Sequence, residues 1–324
     1  MVTLNDIEKA QSLLHDVAVR TPLLEWTGVT AKHKLFLKLE NLQPIGAFKL
    51  RGAYNKIASL SDNDRRRGVI SYSSGNHAQG VAYAARALGV KAVIVMPANA
   101  PKNKLEATAA LGAEIVTVGP GSEERRLRAE QLAAERGYVI VPPYNDEKII
   151  AGQGTVGLEI LEDLPEVETV LVPVGGGGLI SGISTAIKLT SPKVNVIGVE
   201  PELAGDARAS FQAGRIVSFP AEQVAQTLAD GLRTQSVGEI NFEHIRAYVD
   251  NIVSVKEDEI REATRALSAN PKTVAEPSGA VTVAAFMFHS IELPDTRNNV
   301  AVISGGNIDP QLLTDLRKAY LREA

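Results

Sequence analysis

Short runs of apolar and β-branched residues alternate with alanine-rich stretches along almost the whole chain. The runs predict strands, and the stretches between them predict helices. The predicted strands cover residues 35–39, 68–71, 92–96, 114–118, 139–141, 170–174, 194–199 and 300–303. The predicted helices cover residues 78–88, 103–111, 123–136, 155–161, 179–189 and 257–267. Apolar strands separated by helices of this kind are typical of parallel sheets that helices cover on both faces, so we predict an α/β fold.

Residues 53–145 contain a nearly self-sufficient βαβαβ pattern. We therefore predict a small domain at 53–145 and a larger, discontinuous domain made of 1–52 and 146–324. This arrangement leaves a cleft between two α/β units. Ligands usually bind in such clefts, at the carboxyl ends of parallel strands.

The strongest local motif is a run of four glycines at 175–178, between a predicted buried strand and a predicted helix. Bare backbone amides in such a loop can close around an anion, and the helix N-terminus adds partial positive charge. The motif therefore predicts a phosphate site.

A dinucleotide site is the alternative interpretation of the same loop. Glu200 ends the next predicted strand, about 20 residues after the glycines, where a dinucleotide fold places its ribose-binding acid. The glycine fingerprint does not close, however, because Ile180 or Ser181 stands where the third glycine is required. A compact phosphate site fits better, and a nicotinamide-dependent oxidoreductase becomes the second hypothesis.

Lys49 lies in an unusual setting for a solvated lysine, between Phe48 and Arg51, with glycines on both sides. A lysine in a partly dry pocket has its ammonium form disfavoured, so the neutral amine becomes available as a nucleophile or base. A reactive lysine together with a monophosphate site suggests pyridoxal phosphate, whose aldehyde forms a Schiff base with lysine.

Two polar loops supply candidates for the rest of such a site. Residues 73–77 (Ser-Ser-Gly-Asn-His) follow one predicted strand and precede a helix, so hydroxyls, an amide and helix-start N–H groups are available to a carboxylate. Ser304 follows the last predicted strand, and its hydroxyl is a candidate partner for the pyridine nitrogen.

The chain resembles the serine/threonine dehydratase and serine racemase family of fold-type II pyridoxal-phosphate enzymes over nearly its whole length. The motifs that carry the resemblance are residues 46–52 (Gly-Ala-Phe-Lys-Leu-Arg-Gly), 73–77, 151–155 (Ala-Gly-Gln-Gly-Thr), 175–178, 276–279 (Glu-Pro-Ser-Gly) and 304–307 (Ser-Gly-Gly-Asn). The resemblance implies a tryptophan synthase β-like fold, with two parallel-sheet α/β domains and the cofactor in the cleft between them.

The resemblance also implies roles for the matching positions. Lys49 is expected to be the Schiff-base lysine and Ser74 the base on the opposite face. The expected cofactor-binding residues are Phe48, Lys49, Asn76, Gly175, Gly176, Gly177, Gly178, Glu276 and Ser304, with Gly231 less firmly placed. The expected substrate-binding residues are Ser73, Ser74, Asn76 and His77.

A divalent cation, Mg²⁺ or Ca²⁺, is implied by the spacing of Glu200, Ala204 and Asp206, which matches two carboxylates and a backbone carbonyl in relatives. Such an oxygen-rich turn suits these ions when water completes the shell. We also expect a homodimer or a homotetramer.

The activity implied is that of a carbon–oxygen lyase, a threonine/serine ammonia-lyase that forms a 2-keto acid and ammonia from a β-hydroxy amino acid. Racemisation of serine or another amino acid, and dehydration of 3-hydroxyaspartate, are alternatives because they share the step of Cα proton removal. Tyr144, Asn145 and Arg233 are guesses for the side-chain pocket. A non-catalytic amino-acid sensor is a hypothesis of a different class, as is the oxidoreductase.

Composition limits the other possibilities. The chain has 324 residues, a hydrophobic content of 44%, a net charge of −4 and no cysteine. This charge argues against a nucleic-acid binder, and no apolar run reaches the roughly 20 residues that span a bilayer. Without cysteine there is no disulfide framework, thiol nucleophile or Cys-ligated zinc. Residues 1–16 carry acids and are typical of a helix start, not of a signal peptide, so we expect a cytoplasmic protein.

Overall fold

The computed structural model describes residues 1–27, 32–73, 75–100, 102–119 and 121–323. The strands are β1 (Leu23–Glu25), β2 (Lys34–Leu39), β3 (Val69–Tyr72), β4 (Ala92–Pro97), β5 (Glu114–Val118), β6 (Val139–Ile140), β7 (Thr169–Pro173), β8 (Asn195–Pro201), β9 (Asn251–Val255) and β10 (Asn298–Ile303). All eight predicted strands are present, each within about two residues of its predicted bounds.

The helices are α1 (Leu4–Leu14), α2 (Lys49–Ala58), α3 (Asp62–Arg67), α4 (Asn76–Ala87), α5 (Lys102–Ala110), α6 (Ser122–Arg136), α7 (Glu147–Asp163), α8 (Gly178–Thr190), α9 (Asp206–Ala213), α10 (Ala221–Val224), α11 (Glu239–Tyr248), α12 (Glu257–Leu267), α13 (Pro277–Phe288) and α14 (Pro310–Glu323). Short 3-10 turns lie at Glu40–Leu42, Glu202–Ala204, Asp230–Leu232 and Pro271–Thr273. Within the described ranges, no helix combines the length and the apolar character needed to cross a membrane.

The strands form two sheets. The larger has the order β1-β2-β10-β7-β8-β9, and the smaller has the order β5-β4-β3-β6. Every pairing is parallel except that of the edge strand β1 with β2. All residues of β4 and β7 are buried, because helices cover both faces of the sheets. The predicted α/β fold class is therefore confirmed.

The helices around the larger sheet pack at very short distances where glycines face each other. A Cβ atom at Gly152 in α7 would lie 2.7 Å from the Arg51 carbonyl oxygen in α2, and one at Gly182 in α8 would overlap the backbone of Gly154. The glycines of the motif at 151–155, in the first half of α7, thus allow close packing of this helix against α2 and α8. We predicted only the second half of this helix, because glycines lower helix propensity.

The smaller sheet takes all its strands from residues 69–140, which lie inside the predicted small domain. The predicted boundary at 52/53 falls within α2, so this helix continues from one predicted domain into the other. The domain limits themselves stay a prediction. What positions the site is that β3, β7 and β10 all end towards one cavity.

Candidate active site

A cavity of about 500 Å³ lies at the carboxyl ends of strands from both sheets. Nearly all the residues that the sequence nominated for cofactor and substrate line it: Phe48, Lys49, Ser73, Asn76, His77, Gly175, Gly176, Gly177, Gly178, Gly231, Glu276 and Ser304. Tyr144 and Arg233 also line the cavity, whereas Asn145 is not among its lining residues. Ser74, the expected base opposite Lys49, lies outside the described residues.

Lys49 is the first residue of α2, so it lies at a helix start. Its Nζ donates a hydrogen bond to the Pro143 carbonyl oxygen at 2.7 Å and lies 5.1 Å from the centre of the Phe48 ring. Burial lowers the pKa of Lys49 to about 8. The neutral amine is therefore far more accessible near physiological pH than in an exposed lysine, as a nucleophile or base requires.

The glycine run connects the end of β7 to the start of α8. Gly177 has a φ of 94°, in the left-handed region that favours glycine. A Cβ atom at Gly176 would overlap the Tyr144 ring, and one at Gly177 would lie 2.9 Å from Asn241 Cβ. No described side chain caps α8, so its first amides are open to an anion. The loop therefore fits a phosphate group.

The start of α4 is a second place with uncapped amides. Its N-cap residue is Gly75, and among the described residues no side chain accepts a hydrogen bond from the first turn. The Ser73 hydroxyl accepts a hydrogen bond from the Gly75 amide at 3.3 Å. Since the first N–H groups of a helix have no intrahelical partner, this turn offers donors to a carboxylate in the cavity.

His77 is only 3% exposed, and its Nε2 lies 3.0 Å from the Val141 carbonyl oxygen, which can only accept. Burial and the nearby Lys49 charge lower the pKa of His77 to about 3, so the ring is neutral and its one proton is on Nε2. Nδ1 has no hydrogen-bond partner in the described structure. The imidazole therefore has no N–H left to donate to a ligand in the cavity.

Asn76 is held by two neighbours from distant parts of the chain. Its Nδ2 donates to Glu276 Oε1 at 2.6 Å, and its Oδ1 accepts from Asn307 Nδ2 at 2.8 Å. Burial, with a smaller contribution from the Asp230 charge, raises the pKa of Glu276 to about 7. We did not predict a role for Asn307, although the motif at 304–307 contains it. Its contact with Asn76 spans 231 positions, which no local pattern indicates.

Glu200, Ala204 and Asp206 lie outside the cavity lining. Glu200 Oε2 and Oε1 accept hydrogen bonds from the amides of Ala207 and Arg208, at 3.0 and 2.8 Å. A ribose-binding role for Glu200 is therefore not supported. Burial, and then repulsion from Asp206, raise the pKa of Glu200 well above its ordinary value, and burial raises the pKa of Asp206 to about 7.

Asp206 Oδ2 is buried and has no hydrogen-bond partner among the described residues. Two buried carboxyls with raised pKa values and an unpartnered oxygen fit a cation, which would neutralise both. No group of three or more His, Cys, Asp or Glu side chains suited to a metal occurs in the described ranges. A cation here would need the Ala204 carbonyl and water as further ligands.

Two sheets of mainly parallel strands, with a lysine of lowered pKa and a glycine loop facing one cavity, are the arrangement of fold-type II pyridoxal-phosphate enzymes. The family model for pyridoxal-phosphate dependent enzymes matches residues 15–305, and the chain belongs to this family. The predicted family and fold type are thus confirmed.

Three relatives show how close the similarity is. An L-threonine ammonia-lyase of Thermotoga maritima is 48% identical, over 97% of this chain and 77% of its own length. The structure of maize serine racemase has a TM-score of 0.92 and 36% identity, and the match covers 99% of this chain and 98% of that one. The T.th. threonine deaminase has a TM-score of 0.89 and 44% identity, with 95% of this chain and 99% of that one covered.

Proposed function

We propose that this protein is a pyridoxal-phosphate-dependent ammonia-lyase that converts β-hydroxy amino acids of the threonine and serine type to a 2-keto acid and ammonia. The observation that carries the proposal is the meeting of three groups in one cavity: the Lys49 amine, the glycine loop at 175–178 and the uncapped first turn of α4. The names of the Thermotoga maritima ammonia-lyase and the T.th. threonine deaminase support the same activity.

The residues present fit the cofactor. Lys49 would hold its aldehyde carbon, the amides at 175–178 its phosphate, and the Ser304 hydroxyl its pyridine nitrogen. Asn76, fixed by Glu276, would contact the ring hydroxyl. When bound, pyridoxal phosphate supplies an electron sink that stabilises a carbanion at Cα of an attached amino acid.

The chain's own groups position the substrate and move its protons. The first-turn amides of α4 bind the carboxylate, which fixes the amino acid in the cavity. Lys49, as a neutral amine, would take the proton from Cα of the substrate. Because its pKa is about 8, it can accept this proton and release it again near neutral pH. With this proton, the β-hydroxyl would leave as water, and the addition of a water molecule would release ammonia and the 2-keto acid.

Ser304 would hold the pyridine nitrogen through a hydroxyl. A hydroxyl is a weaker partner for this nitrogen than a carboxylate, so it would not keep the ring fully protonated, which would favour elimination over transamination. The Ser304 carbonyl oxygen accepts a hydrogen bond from the Phe48 amide at 3.0 Å, which connects this residue to the start of α2.

Racemisation is the second candidate function, and the likeness to maize serine racemase favours it. It needs a proton donor on the face opposite Lys49, for which Ser74 stays a prediction.

A 3-hydroxyaspartate substrate would need a positively charged side chain near its second carboxylate, and Arg233 lines the cavity. The Arg233 guanidinium donates to the Thr227 carbonyl oxygen at 2.6 and 3.0 Å, so it is partly committed elsewhere.

A divalent cation, Mg²⁺ or Ca²⁺, is a further part of the proposal. Glu200, Asp206 and the Ala204 carbonyl would hold it, and water would complete the shell. Its contribution would be to neutralise two buried carboxyls.

A cytoplasmic location and a homodimer or homotetramer also stay predictions. Cell fractionation would check the location, and light scattering would check the oligomeric state.

A panel of β-hydroxy amino acids tests the proposed function. The purified chain, supplied with pyridoxal phosphate, is assayed with L-threonine, L-serine and 3-hydroxyaspartate for keto acid, ammonia and change of chirality, with and without Mg²⁺. We expect keto acid and ammonia in equal amounts from L-threonine or L-serine, and none with Lys49→Ala. Amino-acid binding that is unchanged in Lys49→Ala, with no product from either protein, would indicate a sensor instead.

A further inference from the structure

A buried cluster of ions lies behind the start of α2, outside the cavity lining. Arg51 is 1% exposed, Lys38 and Glu40 are not exposed at all, and Glu159 is 6% exposed. The two cations and two carboxylates balance in charge. None of them has a part in the proposed chemistry. Burying four charged groups is costly unless they are closely paired and hydrogen-bonded.

Arg51 is at the centre of this cluster and is held from two sides. Its Nε and Nη2 each donate to Glu40 at 2.8 Å, and its Nη1 and Nη2 donate to Glu159 at 2.6 and 2.9 Å. Nη1 also donates to Thr155 Oγ1 at 3.1 Å, and Lys38 Nζ lies 2.7 Å from Glu159. Two bidentate contacts need the planar fork of a guanidinium, which a lysine cannot reproduce.

The cluster joins four elements. Arg51 belongs to α2, Glu159 to α7, Lys38 to β2, and Glu40 to the 3-10 turn that follows β2. Side chains in an α-helix are about 100° apart, so residues two positions apart point to nearly opposite sides. While Arg51 is fixed on the side of the larger sheet, Lys49 must therefore face the cavity.

The other polar side-chain contacts of α2 lie further from Lys49 along the helix: Asn55 Nδ2 donates to the Lys148 carbonyl oxygen at 2.7 Å, and Lys56 pairs with Asp146 at 2.6 Å. The N-terminus of α2 has no side-chain cap among the described residues. The helix contacts α7 through Gly152 and approaches α4 at Gly80, where a Cβ atom would lie 3.1 Å from the Lys49 carbonyl oxygen. These glycine contacts set the distance between the helices, and Arg51, two residues from Lys49, makes the ionic contact nearest to the lysine.

We propose that Arg51, held between Glu40 and Glu159, is a positioning residue that fixes the rotation of α2 and so aims the Lys49 amine at the cavity. This inference rests on the proposed function, since it assigns Arg51 to the placement of the lysine that holds the cofactor. It predicts that loosening the contact slows the reaction of Lys49 with the cofactor in molecules that are otherwise folded.

The test compares Arg51→Lys with the wild-type chain after removal of the cofactor. Pyridoxal phosphate is added, and the growth of the visible absorption that borohydride abolishes is followed from pH 6 to pH 10. We expect the rate constant of capture to fall by roughly ten- to hundredfold, the loss that small misplacements of a reacting group cause. The pH midpoint should rise above the wild-type value, because a mobile amine is better hydrated.

Arg20→Gln is the matched control. Arg20 pairs with Glu162 and Asp163 at the exposed edge of the same charged region, but it does not contact α2 through these bonds. Its capture rate and pH midpoint should equal those of the wild type, even if its thermal stability falls. If Arg51→Lys does not fold, Glu159→Asp, which keeps the charge and withdraws one carboxylate, is judged by the same criteria.

The possible results separate the two claims. A variant with a lowered melting temperature but a capture rate within twofold of wild type and an unchanged pH midpoint would overturn the positioning role and leave Arg51 as a structural residue. A wild-type chain that does not capture the cofactor at all would refute the proposed function itself.

Discussion

The reactivity of Lys49 towards the cofactor should follow the titration of a buried amine. Only the neutral amine attacks an aldehyde, so the rate of capture reports the neutral fraction. Burial lowers the pKa of Lys49 from its ordinary value of 10.5 to about 8. Well below pH 8, the neutral fraction is therefore on the order of a few hundred times that of an exposed lysine, since a pKa lower by one raises it tenfold.

The assay mixes the cofactor-free chain with pyridoxal phosphate and records the visible absorption of the lysine adduct between pH 6 and pH 11. A short lysine-containing peptide, measured in parallel, removes the effect of the cofactor's own titration. We expect the ratio of the two rates to be greatest below pH 8 and to decline between pH 8 and pH 10.5. A chain whose capture rate rises in parallel with that of the peptide up to pH 10.5 would refute the argument from burial.

Three further predictions concern the glycine loop and two buried carboxyls. Gly176→Ala should weaken cofactor binding strongly in equilibrium titrations, because the added Cβ overlaps the Tyr144 ring, whereas Gly121→Ala, with no neighbour nearer than 3.8 Å, should bind as wild type. Glu276→Gln should raise the free energy of unfolding of the cofactor-free chain more at pH 8 than at pH 5, by up to about 3 kcal/mol. The pKa of the Glu276 carboxyl is raised to about 7 in the folded chain, so ionisation of this group destabilises the wild-type fold as the pH rises. Asp206→Asn should raise the melting temperature in EDTA at pH 8 and abolish any increase caused by Mg²⁺. A lower melting temperature in EDTA would contradict the argument that the buried carboxyls of Glu200 and Asp206 destabilise the chain without a cation.

Strands were the part of the fold most open to prediction, because apolar runs mark them wherever both faces are buried. Helix α13 (Pro277–Phe288) was missed for a related reason. It is buried around almost its whole circumference, so its sequence shows little alternation of apolar and polar positions. Helix α7 was predicted too short because the glycines that allow its close contact with α2 also weaken the helical pattern.

The site was predictable where a short local motif marks it. Lys49, in a segment with glycines on both sides, and the glycine run at 175–178 are of this kind, and the structure places them in one cavity. Groups that reach the site through contacts distant in sequence give no such signal. The Pro143 carbonyl that accepts from Lys49 and the Asn307 amide that donates to Asn76 are examples.

The cavity lining also includes long-range contacts that sequence patterns do not show. Lys104 on α5 pairs with Asp230 at 2.7 Å, and both line the cavity. The two residues are 126 positions apart, one in α5 and the other in the 3-10 turn Asp230–Leu232. Each is an ordinary charged residue in its local sequence, so only the fold reveals that they meet.

The most direct test of the central claim is to identify the residue that carries the cofactor. The chain is incubated with pyridoxal phosphate, reduced with borohydride, digested and analysed by peptide mass spectrometry. The account predicts one stoichiometric adduct on Lys49, and loss of both the adduct and keto-acid formation from L-threonine in Lys49→Ala. An adduct on another lysine, or undiminished keto-acid formation by Lys49→Ala, would contradict it.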